Sequence, residues 1–369
     1  MKKSALIIIT AVVTALLLSV SAFAGSYDDV FDKVKISEFA SYPQGTLDAV
    51  QLRAFGIDPN GKYYYCGFLN SGTPTVYQFD ASTGKEVTKY TFKEDNGAYI
   101  KAIGTDDRGY VYMGIANAAN NGAVYFSICT EKGLAEQKWV KIDIDGKVGV
   151  NGAYARQIDG KYYLWFVTNY DTDRIYCYDV TDVKNPVPNT AFGNNGVLEL
   201  GGFGITDANN LTVDAAGNIY VCCNTGAGSK GDTVFKLDAK GSNVLAKGAV
   251  EECFGICQVG EYLAVCTMNK ESSVVVILNQ SDLTAVKTIN YDSVTKFSQI
   301  GFANDKLYIA DEGPDAVAAS TTISIPASAA APDASGDASA PATADALSIA
   351  VMALAASAAV LVISKKSRH

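Results

Sequence analysis

The stretch Ala54-Phe55-Gly56-Ile57-Asp58-Pro59-Asn60-Gly61-Lys62-Tyr63-Tyr64-Tyr65-Cys66 sets the reading of this chain. An apolar run meets an Asp, a Gly follows three residues later, and a Tyr-rich run resumes. Asp with Gly turns a strand back on itself, because Gly accepts φ > 0 where other residues resist it. Tyr, Phe, Val and Ile suit the pleated backbone on either side. The stretch therefore reads as a β-hairpin.

The pattern returns along the chain. Ala102-Ile103-Gly104-Thr105-Asp106 leads through Gly109 to Tyr110-Val111-Tyr112-Met113, and Ile158-Asp159-Gly160 leads to Tyr162-Tyr163-Leu164-Trp165. Leu211-Thr212-Val213-Asp214 leads through Gly217 to Ile219-Tyr220-Val221-Cys222. Two looser copies are Ile256-Cys257 with Gly260 and Tyr262-Leu263, and Ile300-Gly301-Phe302 with Leu307-Tyr308-Ile309. A third strand recurs behind them, ending in Asp or Asn: Val76 to Asp80, Ile175 to Asp179, Val234 to Asp238 and Val276 to Asn279.

The spacing is roughly 45–55 residues, the length of four strands in a propeller blade. The expected fold is all-β: a six-bladed β-propeller spanning residues 25–326. The sixth unit stops near Ile325, after its third strand. The alternating segment Lys33 to Glu38 is expected to supply the missing outer strand, closing the ring and removing the open edge. On the pattern Asp-x-x-Gly-x-x-Tyr, clear at Asp58 to Tyr64 and Asp214 to Tyr220, the chain resembles NHL-repeat and YVTN-type propellers. That resemblance implies the fold and no particular activity, because propellers host unrelated functions.

The two ends place the propeller. Lys2 and Lys3, the apolar run Ala5 to Val20 and the small residues Ala22 and Ala24 read as a signal peptide over residues 1–24. Residues 327–345 are almost all Ala, Ser, Pro, Asp and Gly, a composition too polar to fold, and read as a disordered stalk. Residues 346–364 are uncharged and long enough for a transmembrane helix. Lys365, Lys366 and Arg368 follow, so residues 365–369 form a basic cytoplasmic tail. The expected localisation is the cell membrane, single-pass, with the propeller on the extracellular face. The tail resembles Gram-positive surface anchors, with Ala340-Pro341-Ala342-Thr343-Ala344 standing at their Leu-Pro-x-Thr-Gly. Ala344 replaces the Gly at which a sortase cuts, and a plain membrane tether needs no such motif.

Composition excludes several chemistries. The net charge is −9, which argues against nucleic acid as a partner. His369 is the one histidine and lies in the tail, so the exported region has no Ser-His-Asp or Cys-His machinery and no histidine metal ligand. Eight cysteines are irregularly spaced and form no C-x-x-C pair. Most read as buried free thiols. One disulfide is expected, Cys253 to Cys266, from a hairpin centred on Val259-Gly260 that sets the two opposite each other.

The innermost strand of each blade lines the channel, so its polar residues are the candidate ligand-binding set. Asn96-Gly97-Ala98-Tyr99-Ile100-Lys101 matches Asn151-Gly152-Ala153-Tyr154-Ala155-Arg156. Aligning turns adds Arg53, so Arg53, Lys101 and Arg156 are expected at one level as an arc for an anion. Tyr99 and Tyr154 offer stacking faces for a sugar, and Asn209 stands at that level in another blade. The function expected is a binding, adhesion or ligand-capture module for an anionic or glycan ligand or a protein partner, without catalytic residues or a cofactor. The competing readings are a structural surface-assembly protein and a metal-dependent hydrolase or lactonase. In the latter, Asp207, Asp311 and Glu312 offer oxygen ligands for a divalent cation such as calcium.

Overall fold

The structure is a computed structural model that describes residues 37–41, 51–69, 74–92, 99–116, 123–128, 134, 139–144, 148–170, 173–223, 233–267, 273–291, 297–311 and 317–322. Residues 1–24, 327–345, 346–364 and 365–369, expected as signal peptide, stalk, membrane helix and basic tail, lie outside these residues. Among the described residues no helix is long and apolar enough to cross a membrane. Contacts divide the chain into Met1–Pro326 and Ala327–His369, and everything below concerns the first unit.

The chain is all-β and takes the β-propeller fold, built from consecutive antiparallel hairpins. A short strand β1 (Ser37–Ser41) comes first. The next sheet is β2 (Gln51–Ile57), β3 (Tyr63–Leu69), β4 (Thr75–Asp80) and β5 (Glu86–Thr91), paired in sequence order. A second run follows as β6 (Tyr99–Thr105), β7 (Tyr110–Ala116), β8 (Ala123–Ile128) and β9 (Val140–Asp143). A third consists of β10 (Val148–Ile158), β11 (Lys161–Tyr170) and β12 (Arg174–Asp179), with β13 (Val187–Pro188) and β14 (Val197–Glu199) both on the outer side of β12. These two runs join into one nine-stranded sheet through the single pair Gly149–Ala116. Then come β15 (Ala208–Val213), β16 (Ile219–Cys223), β17 (Val234–Leu237) and β18 (Val244–Gly248). The next sheet is β19 (Cys253–Val259), β20 (Tyr262–Thr267), β21 (Ser273–Asn279) and β22 (Ala285–Tyr291). The last comprises β23 (Phe297–Ala303), β24 (Lys306–Asp311) and β25 (Val317–Thr322), and β1 pairs β25 from Ser37–Ser320 to Ser41–Val317. The outermost strand of the last sheet thus comes from the start of the chain. Lys33 to Ile36, expected to belong to it, lie outside the described residues.

The leading strands touch in cyclic order, β2 to β6, β10, β15, β19, β23 and back to β2. Glycine allows the approach: a Cβ on Gly104 would sit 2.9 Å from the Ala153 carbonyl oxygen, and one on Gly152 would sit 2.7 Å from the Asn210 Cα. The core lies between neighbouring sheets. Leu52, Phe55 and Tyr64 pack with Tyr308 and Ala310, and Tyr220 and Cys222 pack with Ile256 and Val265. Aromatic pairs stack within it, Tyr64 on Phe79 at 4.9 Å and Phe166 on Tyr176 at 4.9 Å.

The repeated Asp-x-x-Gly-x-x-Tyr has a direct physical basis. The Asp58 carboxylate accepts the Asn60 and Tyr63 amides at 2.6 and 2.7 Å. Asp106 accepts the Arg108 and Tyr110 amides at 3.0 and 3.1 Å, and the Tyr112 hydroxyl at 2.8 Å. Asp214 accepts the Ala216 and Asn218 amides at 2.9 and 2.8 Å, and the Tyr220 hydroxyl at 3.0 Å. Gly61, Gly109 and Gly217 all have positive φ. The Asp caps the turn, the Gly lets it close, and in the latter two copies the Tyr returns along the next strand to hand its hydroxyl to the same carboxylate.

The expected Cys253–Cys266 pairing is not formed. Cys253 stands opposite Thr267, and Cys266 opposite Gly255. The hairpin turns at Gly260-Glu261, so Val259 faces Tyr262, and a bulge at Phe254 shifts the register again. Cys66, Cys177, Cys222, Cys223, Cys253, Cys257 and Cys266 are all free and buried. Burial pushes the Cys266 thiol up to about 12.

Candidate functional site

Each leading strand carries one β-bulge, and the six bulge residues are Arg53, Lys101, Asn151, Asn209, Phe254 and Ser298. A bulge turns one extra side chain out of the ladder. Here the extra side chains stitch one strand to the next around the channel. The Asn151 amide donates to the Ala208 carbonyl at 3.1 Å, Asn209 to Cys253 at 3.5 Å, and the Ser298 hydroxyl to Leu52 at 2.5 Å. In all three cases the acceptor is the residue just before the next strand's bulge. The Arg53 guanidinium lies over the Phe254 ring at 4.4 Å, which links two bulges across the β23 strand between them.

Two of the three cations expected at one level are brought together. Arg53 and Lys101 both occupy bulges, and Lys101 is buried. Both act on the carboxylate of Asp207, which precedes β15 and has a positive φ of 55°. Burial raises the Asp207 pKa above its ordinary value; the Asn169 amide, at 3.2 Å, and the two cations oppose that rise, while Asp173 adds to it. The polar cluster at this end of the channel is therefore Arg53, Lys101, Asn209, Asn169 and Asp207.

Arg156 is not part of it. The bulge of its strand falls at Asn151, five residues earlier, which is about 16 Å along a strand. The match between residues 96–101 and 151–156 is a likeness of letters that is out of step in the fold. The first Asn of the second copy, not its terminal Arg, holds the bulge. Arg156 instead works at the opposite end, where its Nη1 donates to the Val213 carbonyl and the Gln258 Oε1, both at 2.8 Å. Tyr154 packs beside the core there, and burial raises its phenol pKa. For Tyr99 and Asp311 the backbone alone is described, and Glu312 lies outside the described residues. Among the described residues no cluster of acidic, Cys or His side chains could hold a metal ion.

The opposite end, near the hairpin turns, opens into a cavity of about 180 Å³. Asn151, Asn210, Gln258 and Gln299 line it, and Asn210 donates to the Gln299 Oε1 across the channel. Sequence reading passed over Asn151 and Asn210 as members of the channel. Their signal was present: uncharged amides inside otherwise apolar strands, where a polar group needs a built partner.

No protein-family model matches the chain, and no curated protein matches it. Solved structures similar to it include the WD40 β-propeller domain of Doa1, at 11% identity over 78% of this chain and 97% of that one, with a TM-score of 0.47. The Neurospora crassa Pan2 WD40 domain is similar at 10% identity over 79% and 86%, with a TM-score of 0.48. Saccharomyces cerevisiae Sqt1 is similar at 11% identity over 74% and 83%, with a TM-score of 0.44.

Proposed function

We propose that this chain is an exported six-bladed propeller, tethered by its C-terminal apolar run, that captures an extracellular ligand through an anionic group at the bulge end of its channel. The count of six rests on the cyclic contact of six leading strands and on the repeat in the sequence. Export and tethering rest on the apolar and basic patterns at the two ends. The observation that carries the binding reading is the convergence of Arg53 and Lys101, from equivalent bulges, beside the Asp207 carboxylate. Cations held at a channel mouth attract a carboxylate, phosphate or acidic glycan, and a protein can present the same group.

The test is a binding screen of acidic glycans, metabolites and peptides on the full chain in detergent, with and without chelator. An acidic ligand should bind, weaken with salt, ignore the chelator and lose at least tenfold in affinity in the Arg53→Ala, Lys101→Ala double variant. Binding that survives the double variant refutes the site. Binding that requires a divalent ion favours the hydrolase reading instead. Protease treatment of intact cells tests the topology, and a chain fully protected there refutes export.

A further inference from the structure

We propose a second binding site, in the cavity at the turn end of the channel, for a small neutral polyhydroxylated molecule of pyranose size. Its lining contains no Asp, Glu, Lys or Arg. A charged ligand would therefore lose its hydration with no opposite charge among those walls. The polar side chains that line it are four carboxamides, Asn151, Asn210, Gln258 and Gln299, with the Thr105 and Tyr154 hydroxyls and the Cys257 thiol. A carboxamide donates through nitrogen and accepts through oxygen, and a hydroxyl does both, so the two chemistries are complementary.

Two polar atoms on the lining residues are without a partner. Asn151 Oδ1 and Gln258 Nε2 are buried without a hydrogen bond. Asn151 as a whole is 4% exposed. Neither orientation is arbitrary. The Asn151 nitrogen is committed to the Ala208 carbonyl at 3.1 Å, which leaves its oxygen as the open acceptor. The Gln258 oxygen is committed to Arg156 at 2.8 Å, which leaves its nitrogen as the open donor. Buried polar atoms left unmade cost stability, so the fold gains when a hydroxylated guest at the turn end meets Gln258 Nε2, while Asn151 Oδ1 stands at the bulge level, at the far end of the same cavity. Phe55 and Phe302 supply apolar walls of the kind that cover the C–H face of a sugar ring. The lining residue Pro59 is exposed, so the cavity reaches solvent at this end. Arg156 acts here as a positioning residue, and this site stands independently of the anion site at the other end.

The experiment is titration calorimetry of the full chain with glucose, galactose, mannose and N-acetylglucosamine, with linear hexitols, and with the matching uronic acids. At least one neutral pyranose or hexitol should bind more tightly than its acidic counterpart. Gln258→Glu keeps the shape and the bond to Arg156 but replaces the open donor with an acceptor. It should weaken binding at least tenfold while leaving the unfolding midpoint within a few degrees. The Arg53→Ala, Lys101→Ala double variant should leave this binding unchanged, which separates it from the anion site. No binding by any member at millimolar concentration overturns the proposal, as does tighter binding of the uronic acids or full affinity in Gln258→Glu. A soaked crystal with only water on Gln258 Nε2 overturns it too.

Discussion

Single carboxylates do two opposite things in this molecule. At the hairpins, Asp106 and Asp214 each gather backbone amides and a tyrosine hydroxyl. Burial, then the neighbouring carboxylate, holds the Tyr112 and Tyr220 phenols above their usual range. Tyr112→Phe and Tyr220→Phe should each cost about 1.5–2 kcal/mol, the worth of a hydrogen bond to a charged group, measured by urea denaturation. Asp207 is the converse. Its pKa is raised, so the fold pays for its ionisation above the folded value and pays nothing below the unfolded value near 4. Asp207→Asn should therefore raise the unfolding midpoint at pH 7, with the gain fading toward pH 3. A carboxylate kept at a cost to stability is what a binding mouth would retain. The cysteines make a third residue-scale case. The seven described thiols should stay unreactive to a disulfide dye in the native chain and appear together on unfolding.

Turns and bulges decide what each strand presents. The outer turns follow one rule: Asp80 accepts the Ser82 and Thr83 hydroxyls, and Asp282 accepts the Thr284 amide and hydroxyl. Those bonds lower both pKa values, led by the Ser82 hydroxyl at Asp80 and the Thr284 amide at Asp282. Lowered carboxylates stabilise the fold above the unfolded value near 4, and that contribution is lost as pH falls through the lower folded values. Denaturant midpoints should accordingly drop below about pH 4, and less steeply in an Asp80→Asn, Asp282→Asn variant. On the inner side, Gly152→Ala would drive a methyl against the Asn210 backbone, which cannot retreat as a flexible side chain could. It should cost about 1–3 kcal/mol, the usual range for overpacking, in the same denaturation assay.

For the molecule as a whole, the pairing of β1 with β25 joins the first and the last described strands. Deleting Ser37 to Ser41 would leave the β25 edge open. An unpaired edge is a template for intermolecular pairing, so the deleted chain should aggregate during purification or melt well below the parent. A deletion that melts like the parent would show that ring closure does not depend on this strand. The clasp of Arg108 belongs to the same scale. It bonds Asp106 at 2.7 Å, reaches the Val180 carbonyl at 3.1 Å and lies 3.6 Å from the Tyr162 ring centre. It thereby ties the second run of strands to the third.

Local chemistry was written plainly in the sequence. Asp-x-x-Gly-x-x-Tyr encodes a complete hairpin within seven residues, so the repeat, the all-β class and the outer turns could be read without coordinates. The partnership of the first strand with the last was legible as well, because an alternating segment without a neighbour needs an edge. What only the tertiary structure decided was register. One extra residue in each leading strand sets which side chain enters the ring, and nothing local marks whether Asn151 or Arg156 is that residue. A turn at Gly260-Glu261 in place of Val259-Gly260 moved Cys253 two residues out of step with Cys266, and the bulge returned only one of them. The carboxamide cavity was hidden for a related reason. Its four carboxamides come from four strands far apart in sequence and meet only where the ring closes, because burial against distant backbone is a property of the assembled fold and not of any segment.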